Sequence, residues 1–190
     1  MKHNPVSFFN LYHGTTQESI TEILKTKQFN FIPRSDHWLG NGIYFFVDDI
    51  DKAIWWSRMT IRRFKKMPED IGILFIEGYR IHREKLLDLD SEQDIEKFAK
   101  FLKDNNQVFK MNLVSKDQND QKIEARANLI NLIVDYYEMS AVKYTFHKDH
   151  IKKLSFFDCL GLSNNEVQFC ISDTDTINFD KVKDITQEVI

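Results

Sequence analysis

Three short segments of this chain carry residue types that chemistry uses, and their order and spacing matter more than any one of them. The first is Leu11-Tyr12-His13-Gly14-Thr15-Thr16, the second Gly40-Asn41-Gly42-Ile43-Tyr44-Phe45, and the third Asn165-Glu166-Val167-Gln168. Each alone has an ordinary reading: a structural histidine, a turn before a strand, a core tyrosine, an exposed Glu-x-Gln on a half-buried strand. Glu166 and Gln168 stand two apart in a strand-like run, so both face one side. A carboxylate there can offset developing positive charge or act as a base, whereas an amide only exchanges hydrogen bonds. Metal chemistry has little support. The six His residues are scattered, and His147 and His150 lack an accompanying Cys or carboxylate pattern. Neither a Gly-rich dinucleotide fingerprint nor a phosphate loop ending in Gly-Lys-Ser/Thr is present.

These segments need elements to hold them. Phe8 to His13 reads as a strand ended by Gly14. A helix follows, capped by Thr15 or Thr16, with Glu18 available for a capping box and Ile20, Ile23 and Leu24 forming its apolar stripe. Gly42 to Val47 reads as a strand, and Asp48-Asp49-Ile50-Asp51 opens a helix that ends in the basic cluster Arg58, Arg62, Arg63, Lys65 and Lys66. Ile71 to Tyr79 is a strand, and Ile81 to Leu89 a short strand or helix with a turn. A helix begins at Ser91, Lys116 to Lys122 is a loop, and Ile123 to Met139 is a long helix. Val142 to His147 and Glu166 to Ile171 are strands, separated by apolar Ser155 to Leu160 and a turn over 161–165. Ile177 to Val182 is a further strand.

Composition sets the bounds. The chain has 190 residues, 42% hydrophobic and 13% aromatic with sixteen Phe, enough to bury one sizeable core. A net charge of -3 gives no global pull toward nucleic acid or an anionic membrane. Cys159 and Cys170 both sit in apolar sequence and read as reduced core thiols rather than a disulfide framework. No secretory signal is visible, and no apolar run approaches the roughly 20 residues of a membrane span. The expected protein is a single soluble, cytoplasmic α+β domain over 1–190, with 91–139 a mainly helical insertion.

The His13-Gly14 step, the strand at Tyr44 and the later Glu166/Gln168 segment resemble the ADP-ribosyltransferase families with a histidine–tyrosine–acid signature. Gly40-Asn41-Gly42-Ile43-Tyr44-Phe45, with the helix after it, is most similar to the poly-ADP-ribose polymerase version. The resemblance spans the chain but not its middle. It implies an ADP-ribosyltransferase-like split β-sheet core with flanking helices, and NAD as substrate. It puts Gly14 against the nicotinamide carboxamide, His13 on a ribose hydroxyl and Tyr44 on the pyridinium face. Thr15, Gly42 and, from the loop between the first two segments, Arg34 complete the dinucleotide contacts. Arg34 is suited to a pyrophosphate. Breaking the nicotinamide–ribose bond passes through an oxocarbenium-like state whose leaving group departs neutral, so the demand is for charge stabilisation rather than a strong acid. Glu166 or Gln168 takes the central catalytic place, depending on the frame. The sequence departs from the commonest pattern there, because a Gln cannot supply negative charge.

The resemblance implies a mono-ADP-ribosyltransferase acting on a macromolecular acceptor, RNA, DNA or protein, similar to stand-alone bacterial toxins or phage-defence effectors. Residues 91–139 would then serve target choice or bind an antitoxin or regulatory protein. The competing readings are an NAD glycohydrolase, the related RNA 2′-phosphotransferase (disfavoured by the Tyr44 segment), and a degenerate NAD- or ADP-ribose-binding module, which Gln168 keeps open.

Overall fold

The computed structural model describes residues 5–31, 37–104, 118–148 and 164–190. Strand β1 (Val6–Thr16) runs directly into helix α1 (Gln17–Thr26). Thr16 caps that helix by accepting from the Ser19 amide at 3.2 Å. Glu18 forms no capping box with it: it falls at the second helical position, one short of the reach-back site, and pairs instead with Lys66. Strand β2 (Ile43–Val47) leads into helix α2 (Ile50–Arg63), capped by the Asp49 carboxylate on the Lys52 amide at 3.0 Å. Strand β3 (Ile71–His82), a tight turn over Arg83–Lys85 and strand β4 (Leu86–Asp88) follow. Helices α3 (Glu92–Asp104) and α4 (Gln118–Tyr136) come next. Strands β5 (Ala141–Lys148), β6 (Asn164–Ile171) and β7 (Val182–Asp184) and the short helix α5 (Thr186–Val189) complete the described chain.

All seven strands form one sheet in the order β4-β5-β6-β2-β1-β3-β7. The β4–β5 pair is parallel and the other neighbours are antiparallel. The fold is therefore α+β. Residues 91–139 are the crossover that parallel pairing of β4 and β5 requires. No described helix is long and apolar enough to cross a membrane.

Alternation along the strands gives the sheet two apolar faces. One packs Leu11, Phe45, Leu74, Ile76, Phe169 and Ile171 against Ile20 and Ile23 of α1. The other is covered in two parts. Ala53 and Ile61 of α2 meet Phe46 and Ile73, while Phe101 of α3 and Ile130, Ile133 and Val134 of α4 meet Leu87, Val142 and Cys170. On α4, Leu132 and Tyr136 remain exposed.

Several sequence expectations change. Gly14 does not end β1 but lies inside it, paired with Ile73. It is there because α2 crosses so closely that a Cβ would stand 1.9 Å from the Ala53 carbonyl oxygen. The predicted loop over 116–122 is helical from Gln118, since Gln and Lys propagate a helix well. Asn164 and Asn165 are not a turn: they extend β6 opposite Lys148 and His147. The expected strand over 177–182 is mostly a tight turn at Phe179–Lys181, because the Asn178 side chain accepts from the Asp180 amide and folds the backbone locally. Cys170 is buried as expected. The segment Ser155–Leu160 and Cys159 lie outside the described residues.

Gly14→Ala should destabilise the fold by about 1–3 kcal/mol or more, because the new methyl meets rigid helix backbone rather than a flexible side-chain end. Urea denaturation measures this, and an unchanged midpoint would show that α2 does not crowd β1.

Candidate functional site

The β1–β2 ladder is short, with Leu11 opposite Val47 and Tyr12 opposite Phe46. Beyond Tyr12, β1 continues along β3 to Thr16, while β2 continues along β6 to Ile43. His13 lies where this ladder stops. Its ring is on the α1 face, opposite Leu74 in register and 5.5 Å from the Phe45 ring. Its Nδ1 donates to the Tyr44 carbonyl oxygen at 2.7 Å, because a carbonyl can only accept. Nε2 is then the acceptor of the neutral ring. Burial lowers the imidazole pKa below its ordinary 6.5, against the smaller opposing effect of that hydrogen bond.

Tyr44 points to the other face, opposite Cys170. Its phenol is fully used: it donates to the Gly40 carbonyl at 2.8 Å and accepts from the Leu39 amide at 2.7 Å. Burial, chiefly, raises the phenol pKa far above neutrality, so Tyr44 stays protonated. What it can offer a ligand is its ring, which also meets the His37 ring at 5.2 Å. Gly40 has φ +82, which a glycine adopts without strain, and a Cβ there would meet Asn131 Oδ1 at 2.4 Å. That same oxygen accepts from the Asn41 amide at 2.7 Å. Helix α4 and Tyr44 together thus fix the turn entering β2.

Gln168 and Glu166 share the Tyr44 face, with Gln168 opposite Phe46. Gln168 Nε2 donates to Glu166 Oε1 at 2.6 Å. Lys52, brought in on the first turn of α2, places Nζ 3.6 Å from Glu166 Oε2. Glu166 is only 5% exposed, and a carboxylate so buried needs such partners. The pair is therefore one hydrogen-bonded unit, with Glu166 buried and Gln168 half-buried. The wall beside them comes from β5: Tyr144 stands opposite Gln168, and Phe146 opposite Glu166.

The structure thus gathers Tyr44, Glu166 and Gln168 on one face and sets the His13 ring on the opposite one, linked to Tyr44 through its carbonyl. Gly14 faces α2, and Gly42 faces β6, where a Cβ would meet the Ile171 carbonyl oxygen at 2.4 Å. The Thr15 carbonyl accepts from the buried Ser57 hydroxyl, which also accepts from the Gly72 amide at 3.2 Å. Arg34 lies outside the described residues. Lys52, Asn131 and Ser57 were not visible as site residues in the sequence. Only the first of them carried a signal, as a cation in the first turn of the helix after Tyr44.

The His13 pKa shift has a definite sign. With a folded pKa below 6.5, the unfolded chain protonates first, so this residue costs stability as pH falls below that value. His13→Gln, which keeps a donor for the Tyr44 carbonyl, should remove that part of the acid sensitivity. Stability curves of both proteins between about pH 7.5 and pH 5 test this, and a pH-independent difference between them would contradict the assignment.

No protein-family model and no solved structure matches the chain. A stretch of 58 residues is 36% identical to an uncharacterized protein of Methanocaldococcus jannaschii, covering 30% of this chain and 27% of that protein.

Proposed function

We propose that this chain is an ADP-ribosyltransferase that cleaves NAD at the nicotinamide–ribose bond and passes ADP-ribose to a macromolecular acceptor. The observation that carries the reading is the buried Glu166, held by Gln168 and Lys52, on the same sheet face as Tyr44. The resemblance of the three sequence segments supplies the reaction class. Glu166 stabilises the oxocarbenium-like charge and Gln168 orients the carboxylate and accepts from a ribose hydroxyl. Tyr44 offers its ring to the pyridinium. Neutral His13 accepts through Nε2, and a single sheet face does not hold it with the acid. Its role is therefore at a hydroxyl remote from the breaking bond.

A macromolecular acceptor is favoured over water by the outer face of α2. The helix that delivers Lys52 to Glu166 also exposes Trp55, Trp56 and Met59, interleaved with exposed Arg58, Arg62 and Arg63. Flat apolar rings among cations suit a polyanion with stackable groups. A toxin or phage-defence role fits such an activity.

The test is incubation with labelled NAD and cell lysate, split between nuclease and protease treatment. Nuclease-sensitive label identifies a nucleic-acid acceptor and protease-sensitive label a protein. Free ADP-ribose alone would make the chain a glycohydrolase, and no NAD consumption would leave only a binding module. Tyr44→Ala and Glu166→Ala should each cut turnover at least about tenfold, roughly 1.4 kcal/mol of barrier. Undiminished turnover in both would overturn the site.

A further inference from the structure

The sheet face that carries Glu166 also carries a cation that the reaction chemistry above does not use. Arg126 projects from α4 with its guanidinium carbon 5.5 Å from the Trp38 ring centre and 5.9 Å from that of Phe146. Those two rings meet edge-on at 5.4 Å, and Phe146 meets Tyr144 at 4.8 Å. Phe146 is the cross-strand neighbour of Glu166, and Tyr144 that of Gln168. Arg126 therefore stands over the aromatic wall of the candidate site.

Its polar surroundings are incomplete. No carboxylate among the described residues forms an ion pair with it, and its Nε is buried without a hydrogen-bond partner. A buried donor left unsatisfied costs stability that stacking on rings returns only in part. Lys52 differs, being drawn toward Glu166. An arginine set against two aromatic rings of the wall that flanks a buried acid, with its Nε unpartnered, is suited to a planar, two-pronged contact with an oxyanion.

We propose that Arg126 holds the pyrophosphate of the dinucleotide. This rests on the ADP-ribosyltransferase reading, and it assigns to α4 the anion contact that the sequence assigned to Arg34. The dinucleotide lies with its phosphates toward the Trp38–Phe146 wall and its nicotinamide end toward Tyr44 and Glu166. Residues 91–139 then contribute directly to substrate binding as well as bridging β4 and β5.

The experiment measures calorimetric binding of ADP-ribose, which carries the pyrophosphate without the scissile bond, and of nicotinamide, which has no phosphate. Arg126→Met should weaken ADP-ribose at least about tenfold, with Arg126→Lys intermediate and weaker than wild type because it keeps charge but loses the fork. Nicotinamide binding should be unchanged in both, and in turnover the loss should appear in KM for NAD rather than in kcat. Equal weakening of both ligands would indicate a purely structural arginine and overturn the inference, as would unchanged ADP-ribose binding in variants of an active protein. Arg126→Lys serves as the deciding variant where the Met substitution fails to fold. Wild-type protein that neither binds ADP-ribose nor consumes NAD overturns the parent reading along with this one.

Discussion

The crossing of α2 over β1 at Gly14 is the constraint on which the rest of the site depends. A hydrogen in place of a side chain lets the Ala53 carbonyl sit where a Cβ would be. Buried Ser57, one turn further along, then binds the Thr15 carbonyl and the Gly72 amide together. Those contacts fix the rotation and advance of α2 on the sheet. With the helix so fixed, Lys52 at its first turn can meet Glu166 two strands away, and Trp55 and Trp56 are turned outward. A helix lifted by one methyl group would leave the carboxylate buried with a more distant cation. The glycine that reads as a binding residue in sequence thus also has an architectural part, and it acts on Glu166 through α2.

A similar economy governs the turn before β2. Gly40, Asn131 and the Tyr44 hydroxyl secure one short stretch of backbone from three directions. Tyr44 spends both hydrogen-bonding capacities of its hydroxyl on that turn, and burial keeps the proton on it. Its chemistry is reduced to its ring, which is what a cationic aromatic ligand would use. His13 is specialised in a comparable way: the Tyr44 carbonyl selects its tautomer and burial keeps it neutral. Two residues that can both titrate are thereby held as fixed dipoles on opposite faces of the sheet.

Much of this was legible in the sequence where the signal is local. A cap at Thr15 or Thr16, a helix opening within Asp48–Asp51, the strand over Gly42 to Val47, and the shared side of Glu166 and Gln168 follow from short-range periodicity and capping chemistry. Two of the misreadings share a cause, since each is decided by a partner far along the chain. Gly14 reads as a strand end because nothing local announces a helix backbone lying against it. Asn164 and Asn165 read as a turn because their pairing with β5 is invisible to a window of a few residues. The His13 face follows from strand alternation, but relating it to Tyr44 requires the β1–β2 register. Arg126 carries no signal at all: an arginine in a polar helix becomes distinctive only when Trp38 and Phe146 are brought beneath it.

The parallel pairing of β4 with β5 has a consequence for the order in which the molecule assembles. Leu86 pairs with Ala141, a separation of 141 − 86 = 55 residues, and both crossover helices must be accommodated between them. Contacts so far apart in sequence close slowly and are rewarded late. In the half of the sheet built from β1, β2 and β3, β1 and β3 pair across distances at least as long, but the whole of that half has been made once His82 is reached, and it holds His13 and Tyr44. The half built from β4, β5 and β6 holds Glu166, Gln168 and the aromatic wall. During synthesis the ribosome therefore releases the half that holds Tyr44 before Glu166 exists, and the face they share is completed only when β5 and β6 have docked.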